Sequence, residues 1–324
     1  MQTKIKVQDL KVGMYVILPM SWFKHPFLRN EFTIDSQQQI DTIIDAGIAE
    51  ITVDPAREHR DAPPPPDPAN TPPKTWTPEK LVPPELRQAI FDKSLPPEKK
   101  SRIVYESSRV LVERLFEDPK AENIREAKKS IADVVDLIIA DSATSRELLK
   151  ITSYDFYTYT HSVNVGVFAV LLAKSVFKGS DAHDMHELGA GFFLHDIGKV
   201  KIDPAIINKP GKVTDEEMAV IRSHPYQGFK ILKETNQLTE ECMFIVMQHH
   251  EREDGTGYPR QLKADEIHTY GRICCIADVY DALTAERSYK QRLNTFAALK
   301  LMKEKLMNHF HQGLFEKFVL LFTQ

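Results

Sequence analysis

Cysteine is scarce in this chain. Its 324 residues hold three, Cys242, Cys274 and Cys275, an odd number with no CxxC pair. A disulfide framework is thereby excluded, and the pattern fits reduced, buried thiols in a cytoplasmic protein. Long apolar runs are missing too. No stretch of about 18 apolar residues occurs, so no membrane span is expected. Met1 to Leu18 alternates charged and apolar residues without a hydrophobic core segment, so no signal peptide is expected. A basic surplus is absent as well: 42 Lys+Arg against 46 Asp+Glu leave a net charge of −4. Proteins that coat nucleic acid carry a clear positive excess. Any anionic substrate must therefore meet locally concentrated positive charge or bound metal. With 42% apolar and 27% charged residues, the chain is expected to bury a real core, and its length allows two domains.

Three textures follow one another. Residues 1–58 carry short apolar runs (Ile5, Val7, Leu10; Met14 to Leu18; Ile48 to Val53) punctuated by Gly13 and Gly47. They predict a small β-rich, α+β domain with one helix over Ser36–Ala46, whose Ile40, Ile43 and Ile44 share a face. Residues 61–84 hold ten of the twenty prolines. Proline cannot donate a backbone hydrogen bond, so residues 59–97 are expected to form an extended linker. From Pro97 onward the apolar spacing is helical: Val104, Leu111 and Leu115, then Ile131, Val134, Val135 and Ile138. Residues 98–150 are expected to form a set of coupling helices, and 151–324 a further helical domain. Thr214, followed by Asp215-Glu216-Glu217, predicts a helix start. A last helix is expected over Asn294–Phe322. It stops without a polar tail, so a native chain extending past 324 is expected.

Twelve histidines are present, and their placement matters more than their number. His161 sits in a helical run. His195-Asp196 follows the apolar Gly191-Phe-Phe-Leu194. His224 precedes Pro225. His249-His250 follows Phe244-Ile-Val-Met247. Asp278 lies in Ile276-Ala-Asp278-Val-Tyr-Asp281. A set of imidazoles and carboxylates without thiolate suits Fe, Mn, Zn or Ni and argues against a structural zinc site. Five histidines and two aspartates exceed the needs of one ion that must also hold water and substrate. A carboxylate can bridge two ions, and two close ions can share a hydroxide and polarise a phosphoryl group. His183 and His186, and similarly His309 and His311, are expected in solvated turns, and His25 and His59 in structural or exposed roles.

At these residues the chain resembles the HD-GYP family of HD phosphohydrolases. The matching segments are His161-Ser162, Leu194-His-Asp-Ile-Gly-Lys199, Ile207-Asn-Lys-Pro-Gly211, His224-Pro225, and His249-His-Glu251 with Asp254-Gly-Thr-Gly-Tyr-Pro259. Arg272-Ile273 and Ala277 to Thr284, continuing through Arg287-Ser-Tyr-Lys290, complete the pattern. The first zone resembles the domain of unassigned role that often precedes such modules, in Leu10 to Val16, Ser21-Trp22 and His25-Pro-Phe27. The resemblance implies a mainly α protein, an HD-type all-α bundle, that hydrolyses cyclic dinucleotides at a two- or three-metal centre. It implies one ion on His161, His195, Asp196 and Asp278, and a second on Asp196, His224, His249 and His250. Fe or Mn come first, with Ni or Zn as alternatives. Where some members place a glutamate for a third ion, this chain has Tyr157, with Asp155 as a shifted carboxylate. Lys199 is expected to hold a phosphate oxygen or protonate the leaving 3′-oxygen, and Arg287 and Lys290 to clamp phosphate. Glu251 and Asp254 are expected to orient ligands rather than to ligate.

Three functions compete. The first is hydrolysis of a 3′–5′ bond in cyclic di-GMP or 3′,3′-cyclic GMP-AMP to the linear 5′-phosphorylated dinucleotide. The second is an HD hydrolase of mononucleotides. The third is a non-catalytic cyclic-dinucleotide sensor. The tandem histidines and the intact ligand set favour the first. A homodimer and a protein partner at the Gly-Tyr-Pro loop are further expectations.

Overall fold

Alternating β-branched residues build the N-terminal sheet. The computed structural model describes residues 3–18, 31–34, 37–45, 48–55, 74–152, 158–207, 209, 212–285 and 292–323. The chain divides into units spanning residues 1–72 and 73–324. The first unit runs β1 (Thr3–Lys6), β2 (Tyr15–Ile17), β3 (Glu31–Thr33), α1 (Gln37–Asp45) and β4 (Glu50–Val53). The strands form one antiparallel sheet in the order β1-β4-β2-β3, with Ile5 opposite Ile51 and Val16 opposite both Phe32 and Val53. Helix α1 adds Ile40 and Ile43 to a core with Val16, Ile34, Ile51 and Val53. Ile44, expected on the same face, is 47% exposed. It lies about 100° around the helix from Ile43, off the buried stripe.

The helical unit begins earlier than its composition suggests. Helices α2 (Pro78–Leu81) and α3 (Pro84–Phe91) occupy part of the stretch expected as linker, and α4 spans Pro97–Glu117. In each, proline takes the first turn, where its missing N–H has no intrahelical partner in any case. Leu81, Leu86, Ala89 and Ile90 are buried in the main core. The Trp76 indole donates to Glu117 at 2.9 Å, and its backbone N–H donates to Asp118 at 2.9 Å. Residues 74–91 are thus folded structure.

Helices α5 (Ala121–Ala140) and α6 (Ser142–Ile151) follow. Asp141 caps α6 by accepting from the Ala143 and Thr144 N–H groups. Then come α7 (Thr158–Val176) and α8 (Met185–Leu194), whose apolar residues are buried nearly all round. A helix of that kind belongs at the centre of a bundle. Helices α9 (Pro204–Ile207), α10 (Asp215–Ile221), α11 (His224–Glu234), α12 (Glu240–Gln248) and α13 (Thr269–Thr284) complete the surround. Thr214 starts α10 as expected, in a reciprocal cap with Glu217. The last segment departs from expectation. It forms two helices, α14 (Thr295–Lys305) and α15 (Gln312–Leu320), separated by a 3-10 turn at Met307–His309. Tertiary bonds hold that break: Asn308 donates to Asp254, and the Glu253 N–H donates to the His309 carbonyl. All three cysteines are buried and unpaired. Among the described residues no helix is long and apolar enough to cross a membrane.

Candidate metal centre

Five elements deliver the donors. His161 projects from α7, and Asp278 from the middle of α13. His195 and Asp196 follow the last residue of α8, His224 opens α11, and His249 and His250 follow the last residue of α12. The 3-10 turn Ile197–Lys201 redirects the chain after Asp196 and presses on α11. A β-carbon on Gly198 would lie 1.9 Å from the His224 carbonyl oxygen, so glycine is required for this approach. The seven side chains form two groups. Donor atoms of Asp196, His224, His249 and His250 lie within 4.8 Å of one another, and so do those of His161, His195 and Asp278.

Asp196 stands between the groups. Its Oδ2 is 3.5 Å from the Nε2 atoms of both His161 and His195, and its Oδ1 is 3.2 Å from His224 Nε2 and 3.8 Å from His249 Nε2. Asp278 reaches His161 Nε2 at 3.1 Å and His250 Nδ1 at 3.3 Å. His195, His224 and Asp196 are fully buried, while the His250 and Lys199 side chains are 22% and 23% exposed. The centre therefore opens on the side of His250 and Lys199. The Lys199 Nζ donates to Asp196 Oδ2 at 2.5 Å.

The residues fit divalent cations. The Nδ1 atoms of His195, His224 and His249 face the carbonyls of Phe192, Ile221 and Val246 at 2.8, 2.8 and 3.0 Å. A carbonyl only accepts, so these nitrogens carry the proton and the Nε2 lone pairs point inward. Two such lone pairs, on His224 and His249, approach to 3.0 Å. Asp196 Oδ1 is buried and accepts no hydrogen bond. Lone pairs facing one another and an orphaned carboxylate oxygen are what a cation reconciles.

The electrostatics agree. Burial pushes His224 down to about 3 and His250 to about 4, and holds His249 far below its ordinary value, so these rings are neutral. Burial also opposes charge on His161, but Asp278 and Asp281 overcome it and raise this ring to about 10. In the metal-free centre His161 supplies positive charge that an ion at Nε2 would replace. Burial works against ionised Asp196 and Asp278 as well. Lys199 holds Asp196 well below the usual carboxylate range, and the hydrogen bond and charge of His161 do the same for Asp278.

The Gly-Tyr-Pro loop closes one side. Tyr258 lies over His250 with ring centroids 4.6 Å apart, and the Arg222 guanidinium sits 5.5 Å from its ring. Glu251 accepts from the Arg260 and Leu262 N–H groups, and Asp254 accepts from Thr256. Both carboxylates hold the loop that follows the tandem histidines, and neither belongs to a donor group. Beside the loop, a cavity of about 520 Å³ is lined by Asp215, Met218, Arg222, Ser223 and Tyr258.

The other histidines lie elsewhere. His183 is less solvated than expected: it stacks on Phe177 and bonds the Tyr270 hydroxyl. His186 pairs with Asp136, and His311 caps α15. Arg287, Lys290, Asp155, Tyr157, His25 and His59 lie outside the described residues. Asp281 escaped the sequence reading as a functional residue. It is 2.7 Å from His161 Nδ1, and its position three residues after Asp278 on one helix was the available signal.

An HD domain family matches residues 158–313. The cyclic di-GMP phosphodiesterase of Pseudomonas aeruginosa is 30% identical over 326 residues, covering 98% of this chain and 76% of that protein. The chain belongs to the HD-GYP family. Residues 2–139 of this HD-GYP protein match a domain of unknown function. A 3′3′-cGAMP-specific phosphodiesterase of Vibrio cholerae is 39% identical over 150 residues, 46% of this chain and 32% of that one. The HDG"Y"P protein of Bdellovibrio bacteriovorus shares the fold, with a TM-score of 0.62 at 16% identity over 100% of both chains.

Proposed function

We propose that this protein is a metal-dependent phosphodiesterase that opens a 3′–5′ bond of a cyclic dinucleotide to give the linear 5′-phosphorylated product. One observation carries the reading: two donor groups meet at Asp196, which turns one carboxylate oxygen to each. His161, His195, Asp196 and Asp278 would hold one ion, and Asp196, His224, His249 and His250 the other. Ions held there, Fe or Mn on this donor set, would supply Lewis acidity and an activated water at phosphorus. Lys199 stands at the open side. There its ammonium can leave Asp196 for a phosphoryl oxygen or give a proton to the departing 3′-oxygen. Arg287 and Lys290 are proposed as phosphate clamps. Tyr258 lies over one face of His250, and the cavity beside it offers room for a base.

Cyclic di-GMP is the first substrate to test, because the relative aligned over nearly the whole chain is named for it. Relatives named for 3′3′-cGAMP align over shorter stretches and keep that hybrid as the second candidate. A cytoplasmic location, a homodimer and a partner at the Gly-Tyr-Pro loop belong to the same proposal. Anaerobically purified protein, analysed for metal and assayed on both dinucleotides with Mn or Fe, tests it. Cleavage of either by protein holding two ions per chain is expected. Two bound ions with neither substrate cleaved would overturn the enzymatic reading in favour of a sensor.

A further inference from the structure

His161 is supported differently from its neighbours. His195, His224 and His249 each lean on a carbonyl no more than four residues back. Local helix geometry supplies those partners. His161 Nδ1 instead meets Asp281 Oδ2, 120 positions away in the chain, at 2.7 Å. The other oxygen, Asp281 Oδ1, accepts from Asn164 Nδ2 at 2.7 Å. Asn164 Oδ1 in turn accepts from the Tyr105 hydroxyl at 2.7 Å. All four residues are buried.

The direction of each bond is dictated by chemistry. The phenol donates, the amide accepts at oxygen and donates at nitrogen, the carboxylate accepts twice, and the imidazole donates at Nδ1. Flipping Asn164 would set its amide oxygen against the carboxylate of Asp281, so Asp281 fixes the amide's orientation and the Tyr105 hydroxyl, donating to the amide oxygen, holds Asn164 in place. Burying a phenol, an amide and a carboxylate among apolar helices costs free energy unless every bond is made. Carboxylates behind metal-binding imidazoles set ring orientation and raise the basicity of the ligating nitrogen.

Asn164 is on α7 and Asp281 on α13, both inside residues 158–313 matched by the HD domain. Tyr105 is on α4, outside that range and inside residues 2–139 matched by the domain of unknown function. We infer that Asp281, Asn164 and Tyr105 are positioning residues for the metal site at His161, and that through Tyr105 helix α4 sets the affinity of that one site. A shift of α4 would then change metal occupancy without touching a ligand, which gives this helix a role beyond packing. The inference rests on the two-metal reading above.

Full-length protein stripped of metal and titrated with Mn²⁺, with free ion followed by paramagnetic resonance, tests it. Wild type is expected to bind two ions. Asp281→Asn keeps an acceptor but loses the charge, and should weaken one ion by about 10–100-fold while leaving the other unchanged. Tyr105→Phe preserves the ring and its packing, and should weaken the same ion by about two- to tenfold. Because Tyr105 acts through Asp281, the double variant should bind that ion no more weakly than Asp281→Asn alone. A merely structural role would lower the melting temperature of the metal-free variants and leave both affinities unchanged; that result overturns the inference. Additive losses in the double variant would overturn the route through Asp281. Should Asp281→Asn fail to fold, an unchanged affinity in folded Tyr105→Phe still overturns it. Wild type that bound no Mn²⁺ would overturn the two-metal reading itself, a result distinct from two ions bound with variants unchanged.

Discussion

Charge at the centre is divided between a lysine that can move and imidazoles that cannot. Lys199 is a proposed acid and phosphate contact rather than a ligand. Lys199→Ala is therefore expected to lower kcat by about 10²–10⁴ while two metal ions remain bound. Steady-state kinetics beside elemental analysis checks this, and a loss of metal would instead make Lys199 structural. The histidines make a second prediction, for metal-free protein. His224 and His250 have folded values near 3 and 4, and His249 lies far below normal. The unfolded chain takes up these protons at about 6.5, so their contribution to stability is complete above that pH and is lost as pH falls toward 4. His161 runs the other way. Its value of about 10 gives stability that is complete below about 6.5 and lost as pH rises through 10. Asp196 and Asp278, held low, lose theirs only below about 4. Metal-free protein should thus be most stable near pH 6.5 in urea titrations. A stability that rose steadily from pH 5 to pH 9 would contradict the assignment.

Between residue and fold stand the turns that aim the ligands. The 3-10 turn after Asp196 reaches α11 only because residue 198 has no side chain. Gly198→Ala is expected to cost about 3 kcal/mol, the upper end of the overpacking range, and to displace His224 from Asp196. Urea midpoints and metal content should fall together, and an unchanged metal content would show that α11 can yield. Elements with local signals were legible beforehand: the Thr214 cap, the apolar helix before His195-Asp196, and the one before His249-His250. The break between α14 and α15 was not. Its apolar spacing reads as one helix, and the bonds from Asn308 and His309 to Asp254 and Glu253 come from more than fifty residues away. Proline misled for a related reason: Pro78 and Pro84 read as linker, yet each fits a helix's first turn once packing supplies the rest.

Among the described residues each unit has a hydrophobic core of its own. Residues 73–324 should fold alone and bind metal, whereas residues 151–324 should not. The shorter piece loses Val104, Leu111, Leu115, Ile131, Val134, Val135 and Ile138, all buried in the core shared with α7 and α8. At about 1.5 kcal/mol or more for each buried side chain, their loss rivals the 5–15 kcal/mol of a typical domain. Circular dichroism melts of both fragments, with metal analysis, decide it; a cooperative melt of 151–324 would show α4 and α5 to be dispensable. The net charge of −4 is no obstacle to an anionic substrate, because Lys199 and the proposed ions gather positive charge in one cleft.

From the sequence alone came the donor types, their pairing at the ends of apolar helices, and the family those spacings resemble. The paired donors His195-Asp196 and His249-His250 are covalent neighbours, so adjacency brings each pair together in any fold that buries the helix before it. Tertiary structure decided what adjacency cannot: which oxygen of Asp196 faces which group, which side of the centre opens, and where His161 finds its support. Those contacts join residues 25 to 120 positions apart. Their distances depend on how whole helices pack, and that packing is set by the summed burial of a core rather than by any one motif.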